Sequence, residues 1–303
     1  MYAAGMLRTM RLNHPVVSVG NLTLGGTGKT PLVIALAERF RNEGFRPVVL
    51  SRGYKRSSKG ILIVSRGEGP IVKWQESGDE PFLIARRVPR VSVVVGTDRY
   101  EAGRLAAREG LGDLFILDDG FQHRGLYRDV DIVTIDSAEW AEGEKLLPRG
   151  RWREPMSAIQ RAHAACVQEK SGWPIPSLPI PTFLIRTVVD GIYRGCDRID
   201  HKSLRNQSVV AIAGIARPER FFEAVENLGV TLASRVTFRD HHAFTSEEIA
   251  ELSKTGSKQL LITTEKDSVR LEGTSLADFL HLRISANILE FDRLMELIRS
   301  RFS

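Results

Sequence analysis

The sequence predicts an α/β fold built on a mostly parallel sheet, and three observations carry that reading. Short β-branched runs alternate with helical stretches through about the first 170 residues. A glycine-rich turn, Gly20-Asn-Leu-Thr-Leu-Gly-Gly-Thr-Gly-Lys-Thr30, joins the first apolar run to the first helical one. A proline-rich break, Ser171–Pro181, separates this region from a second stretch of similar pattern.

Taken in order, Val16–Val19 is the first expected strand, and Pro31–Glu43 has the apolar spacing of a helix. Strands are then expected at Pro47–Leu50, Gly60–Val64, Ile71–Trp74, Val91–Val95, Leu114–Leu117, Val130–Ile135 and Ala164–Val167. Helical spacing recurs at Pro81–Arg87 and Tyr100–Glu109. Four prolines within Ser171–Pro181 cannot continue a helix or a central strand, so this is a linker. Thr182–Arg194 reads as an extended, hairpin-like segment. A second α/β stretch starts at Val209–Gly214, with helices at Glu219–Leu228, Glu247–Lys254 and Arg293–Arg299 and a buried-type strand at Gln259–Thr264.

The expected organisation is a P-loop NTPase-like α/β/α sandwich over residues 1–175, a linker with extended strands over 176–206, and a smaller α/β domain over 207–303. At 303 residues the chain is long enough for two such cores. Its formal net charge of +6 suits anionic partners without choosing among them. The two cysteines, Cys166 and Cys196, are far apart and have no metal spacing, which argues against a disulfide framework. No apolar run reaches the length of a membrane span. Met1–Pro15 holds Arg8 and Arg11, several apolar residues and no acid, so it can be a basic membrane-surface segment or an arm packed on the domain.

The turn between strand and helix is where chemistry is expected. Glycines let backbone N–H groups converge on phosphate oxygens, and the helix N-terminus adds its positive dipole end. Lys29 can reach the outer phosphates, and Thr30 can hold a Mg²⁺ through its hydroxyl. Thr23, Gly25, Gly26, Thr27 and Gly28 complete the cradle. The pattern is unusual, because Thr23 stands where the first glycine of the common motif falls. Leu24 stands where partition-type ATPases carry a signature lysine.

Leu114–Asp118 followed by Asp119 and Gly120 is an apolar strand ending in paired acids, the place of a Mg²⁺-binding aspartate opposite the loop. Val91–Val95 leads to Asp98, which can be a general base or the cap of the next helix, with Glu101 in capping-box position. Asp240-His-His242 lies between aromatics, and histidine suits proton work near neutral pH. Thr264 with Asp267 reads as a helix cap. Arg52, Lys55, Arg56 and Lys59 form one basic cluster and Arg149, Arg151 and Arg153 another.

Together these segments resemble the tetraacyldisaccharide 4′-kinase family, the lipid A 4′-kinases. The likeness rests on Val19–Pro31, Leu50-Ser-Arg-Gly-Tyr54, Gly78-Asp-Glu-Pro81, Leu117-Asp-Asp-Gly-Phe-Gln-His123, Arg153-Glu-Pro155, Asp240-His241-His242 and Thr263-Thr-Glu-Lys-Asp267. It runs from about residue 15 to residue 270. The resemblance implies transfer of the ATP γ-phosphate to the 4′-hydroxyl of a tetraacylated glucosamine disaccharide 1-phosphate. It implies ATP and Mg²⁺ as cofactors and two α/β/α domains joined by a two-stranded β linker. It gives Asp98 and His241 the role of a catalytic dyad, Asp118 and Asp119 that of metal-binding acids, and Glu154 that of a further acid near the metal. Arg52, Lys55, Arg149 and Arg151 become candidates for meeting the anionic lipid substrate. Peripheral attachment to the anionic cytoplasmic face of the inner membrane follows, with no transmembrane span, no nucleic acid and no protein partner evident. The family's N-terminal amphipathic helix is usually longer than the segment here. Two other readings compete: a P-loop kinase for a soluble substrate, and a partition-type switch ATPase, which the leucine at position 24 disfavours.

Overall fold

The computed structural model describes residues 9–205, 207–276 and 279–302. The chain forms two compact units, Met1–Thr187 with Ala286–Ser303, and Val188–Ser285.

In the first unit, β1 (Val16–Asn21), α1 (Lys29–Asn42), β2 (Pro47–Ser51) and β3 (Leu62–Arg66) come first. α2 (Trp74–Ser77), α3 (Asp79–Arg87), β4 (Ser92–Val95), α4 (Arg99–Arg108) and β5 (Leu114–Asp118) follow. β6 (Val130–Asp136), α5 (Ser137–Ala141), β7 (Ala164–Gln168) and the start of β8 (Thr182–Arg194) complete the sheet. Its order is β8-β7-β6-β1-β5-β2-β4-β3. Every neighbouring pair is parallel except β3 against β4.

Both faces of this sheet are covered, as parallel sheets require. Strand side chains alternate between faces, and β5 shows it. Leu114 and Ile116 join a core with α1 and α3, while Phe115 and Leu117 join a second core with Ala102 and Ala106 of α4. The last helix, α9 (Phe291–Arg299), adds Leu294, Met295 and Ile298 to the first of these cores. Residues 286–303 therefore belong to the nucleotide-loop unit and not with 207–285.

One expected strand is absent. Ile71–Trp74 is a turn leading into α2. The Ile71 N–H closes back on the Val64 carbonyl at 2.8 Å. The Glu76 carboxylate accepts from the Lys73 N–H at 2.9 Å, so a local helix cap wins over extension.

The second unit contains β9 (Asp197–Ile199), β10 (Val209–Ala213), α6 (Pro218–Glu226), β11 (Leu232–Thr237) and α7 (Ser246–Gly256). β12 (Leu260–Thr264), α8 (Glu265–Arg270) and the greater part of β13 (Leu280–Ile288) follow. Strands β11-β10-β12-β13 pair in parallel in that order, and the end of β8 forms a hairpin with β9. Phe221, Phe222 and Val225 of α6 pack on Val209, Ala211 and Ile262. Among the described residues no helix is long and apolar enough to cross a membrane. The expected surface segment Met1–Leu12 falls largely outside the described residues, which begin at Thr9.

Candidate active site

The strand register builds the site. β1 and β5 are adjacent and parallel, with Val19 opposite Asp118. Their carboxyl ends therefore open together, where ligands bind in such sheets. The loop after β1 and the acids after β5 face one another as a consequence of pairing.

Gly28 caps α1 with φ of 85°, a left-handed conformation that a side chain resists. No acid occupies the first turn of α1. The positive end of that helix is left for an external anion. Lys29 Nζ donates to Asn21 Oδ1 at 3.0 Å and lies 3.5 Å from Asp119 Oδ1. Thr27 and Thr134 hydroxyls bond at 2.7 Å, which ties the loop to β6.

Asp118 is buried, and Ser51 Oγ donates to its Oδ2 at 3.0 Å. Burial, and then the neighbouring Asp119, push its carboxyl above the usual carboxylate range against the pull of Lys29. Asp119 has the opposite balance. Burial alone would raise it, but Lys29 and Arg153 together hold it low. Arg153 Nη1 reaches both Asp119 oxygens, at 3.1 and 2.9 Å. Mg²⁺ takes oxygen ligands. The Thr30 hydroxyl and the two carboxylates are such donors, and a divalent cation would relieve the charge crowding that raises Asp118. The residues present fit the ion.

Glu154 is engaged elsewhere. Arg161 donates to both its oxygens, at 2.6 and 3.0 Å, and Gln122 Nε2 donates to Oε1 at 3.0 Å. Asp98 takes the capping position. Its Oδ1 accepts from the N–H groups of Tyr100 at 2.9 Å and Glu101 at 3.1 Å. Arg99, beside it, is buried, and burial followed by Arg52 lowers its pKa while Asp118, Asp119 and Asp98 oppose. These charges therefore share one electrostatic neighbourhood.

In the second unit, His241 has φ of 58° and its N–H donates to the Gly214 carbonyl at 3.2 Å. Its Nε2 lies 3.1 Å from Lys266 Nζ, within the Thr263–Asp267 motif. Asp267 anchors that motif. Gly214 N–H donates to it at 3.0 Å and Arg270 Nη1 at 2.8 Å, all buried.

The basic residues fall into three places. Arg52 and Lys55 line a cavity of about 540 Å³ with Tyr54, Arg56, Lys59 and Thr97. Arg149 is exposed on its loop. Arg151 lies on the glycine-rich loop, where its Nε and Nη2 donate to the Leu24 carbonyl at 3.1 and 2.7 Å. Sequence reasoning singled out neither Ser51 nor Asn21, although each is a polar residue ending an apolar strand. Arg153 was visible as part of a basic cluster and of the Arg153-Glu-Pro155 segment, with no role assigned to it.

Comparison with known proteins places the chain in a family. A family model described as LpxK, tetraacyldisaccharide-1-P 4′-kinase, matches residues 1–303. A tetraacyldisaccharide 4′-kinase of Geobacter metallireducens is 42% identical over 278 residues, covering 89% of this chain and 82% of the relative. One from Aquifex aeolicus is 38% identical over 278 residues, covering 90% and 84%. The crystal structure of an "apo" form LpxK from Aquifex aeolicus in complex with ATP superposes with a TM-score of 0.85 at 35% identity, covering 100% of this chain and 93% of that one. The α/β fold is thus P-loop NTPase-like, and the chain belongs to the tetraacyldisaccharide-1-P 4′-kinase family.

Proposed function

We propose that this chain transfers the γ-phosphate of ATP to the 4′-hydroxyl of a tetraacyldisaccharide 1-phosphate, a kinase step of lipid A biosynthesis. The observation that carries the chemistry is Lys29 facing Asp119 at 3.5 Å, with Asp118 buried beside it. The acceptor identity rests on family membership over the whole chain.

Phosphoryl transfer depends on positioning and charge stabilisation more than on covalent help. The bond from the γ-phosphorus to the bridging oxygen breaks, and a bond to the hydroxyl oxygen forms. Lys29 and the loop amides neutralise charge on the transferred group. Thr30, Asp118 and Asp119 would hold Mg²⁺, which supplies further positive charge at the phosphate oxygens. The hydroxyl proton goes to a carboxylate, and Asp98 with His241 is the proposed pair. Asp98 Oδ2 lies outside the cap that Oδ1 makes. Glu154 is proposed as a further acid near the metal, its charge balanced in this state by Arg161.

The basic cavity around Arg52 and Lys55 is proposed to meet the anionic part of the lipid. Peripheral attachment at the anionic cytoplasmic face of the inner membrane follows from such a substrate. Incubation with γ-labelled ATP and the lipid disaccharide tests the reading. Label should appear on the lipid, and Lys29→Ala should abolish transfer with the fold intact. Label released only as inorganic phosphate, or passed to a soluble acceptor, would overturn it.

A further inference from the structure

The loop after β1 departs from two related patterns, with Thr23 in place of the glycine of the common motif and Leu24 in place of the lysine of partition-type ATPases. Another segment is bound to those same positions. Residues 151–153 run antiparallel to 22–24. The Leu24 N–H donates to the Arg151 carbonyl at 2.7 Å, and the Arg153 N–H donates to the Leu22 carbonyl at 2.7 Å. Thr23 and Trp152 face each other as an isolated bridge.

Alternation along this short strand divides the labour. Trp152 turns inward and is buried with Leu22, Val133 and Ile159. Arg151 and Arg153, two residues apart, both turn to functional groups. Arg153 grips Asp119. Arg151 grips the Leu24 carbonyl with two nitrogens, as its planar fork allows. A Cβ on Gly25 would overlap the Arg151 guanidinium, so the arginine covers the loop at this point.

A third group locks the arrangement. Glu139 of α5 is buried, and its Oε2 accepts from the Thr23 hydroxyl at 2.9 Å. Its Oε1 lies 3.4 Å from Arg151 Nη2. One carboxylate thus joins position 23 to the residue that holds position 24. Thr23 has a purpose that glycine could not serve.

We infer that Arg151 is a positioning residue for the nucleotide loop. With Glu139 it fastens Thr23 and Leu24, so that the Leu24 carbonyl points away from the anion the loop receives. A carbonyl oxygen turned into a phosphate cradle would repel its charge. The inference rests on the reading of this loop as the ATP site. It gives Arg151, a candidate for lipid contact in the sequence, a role on the nucleotide side.

The test separates the two sides. Arg151→Ala should weaken binding of a fluorescent ATP analogue about tenfold, the scale of one or two lost hydrogen bonds. KM for ATP should rise while KM for the lipid disaccharide stays unchanged. Arg151→Lys keeps the charge but not the fork, and should fall between. In protein without nucleotide, hydrogen exchange at residues 22–28 should quicken in Arg151→Ala. Unchanged ATP affinity with a raised lipid KM would overturn the inference, as would no change in exchange or affinity. Lys29→Ala run alongside keeps the failures apart. If it too binds ATP normally, the nucleotide reading of the loop falls as well.

Discussion

Ser51 donates a 3.0 Å hydrogen bond to the buried carboxylate of Asp118, from the end of β2 to the end of β5. The two strands pair in parallel with Leu50 opposite Leu117, so the contact follows from register. Ser51→Ala should leave Asp118 less well oriented. The magnesium concentration for half-maximal activity should rise about tenfold, the scale of a hydrogen bond to a charged group. Titration of activity against free Mg²⁺ at saturating ATP checks this.

Asp118 itself costs stability. Its carboxyl is raised by burial and by Asp119, so its charged form is disfavoured in the folded state. A raised pKa gives stability at low pH that is lost as pH climbs through the folded value. Asp118→Asn should therefore melt higher than the parent at pH 7. The gap should close below the ordinary carboxylate value, where both states carry the proton. Activity should drop at least about a hundredfold in the same variant. Thermal melts paired with kinase assays read both effects.

Asp98→Asn distinguishes capping from proton transfer. Asparagine caps helices as well as aspartate does, so the melting temperature should hold. As the proton acceptor, Asp98 predicts a kcat loss of about 10²–10⁴-fold. Groups acting as a unit lose activity non-additively. The double variant with His241→Ala should then be little worse than the poorer single. Near-normal kcat in Asp98→Asn would make the residue a cap alone.

His123 follows the acidic pair and titrates far from its usual range. Burial, and then Arg99, bring its pKa from 6.5 down to about 4. A depressed histidine stays neutral when folded while the unfolded chain takes up a proton. Stability from this group is full above 6.5 and is lost progressively as pH falls towards 4. His123→Gln should flatten that limb of the urea-midpoint profile and leave the region above pH 7 unchanged.

The knot below His241 is the stability test of the second unit. Arg270 and Asp267 pair at 2.8 Å with almost no exposure. Arg270→Met removes one partner and strands a buried charge, which costs about 3–5 kcal/mol. Changing Asp267 to Leu as well should recover part of the loss. Denaturant unfolding of the three proteins measures it.

The repeating core was legible because its signal is local. Valine-rich strands and helices with polar outer faces carry their own period. β8 appears at Thr182–Arg194, the span its composition suggests. β11 was not legible, since Leu232–Thr237 is an edge strand with mostly exposed positions and as many polar residues as apolar ones. At the site, the glycine-rich loop and the acidic pair were legible as motifs. The grip of Arg151 on Leu24 was not, because the partners are 127 residues apart and meet only once β6 is in the sheet. Asp98 offered both of its readings in the spacing, and its cap is the one that local hydrogen bonds can write.

The placement of α9 has a consequence for how the protein is made. The first unit leaves off at Thr187 and resumes at Ala286. Leu294, Met295 and Ile298, which join the core with α1 and α3, are translated only after residues 188–285. A nascent chain that has already exposed its phosphate loop still lacks part of the floor beneath it. Apolar surface on the half-built unit stays open to chaperones while residues 188–285 emerge. The nucleotide-loop unit is begun before the other unit and sealed after it.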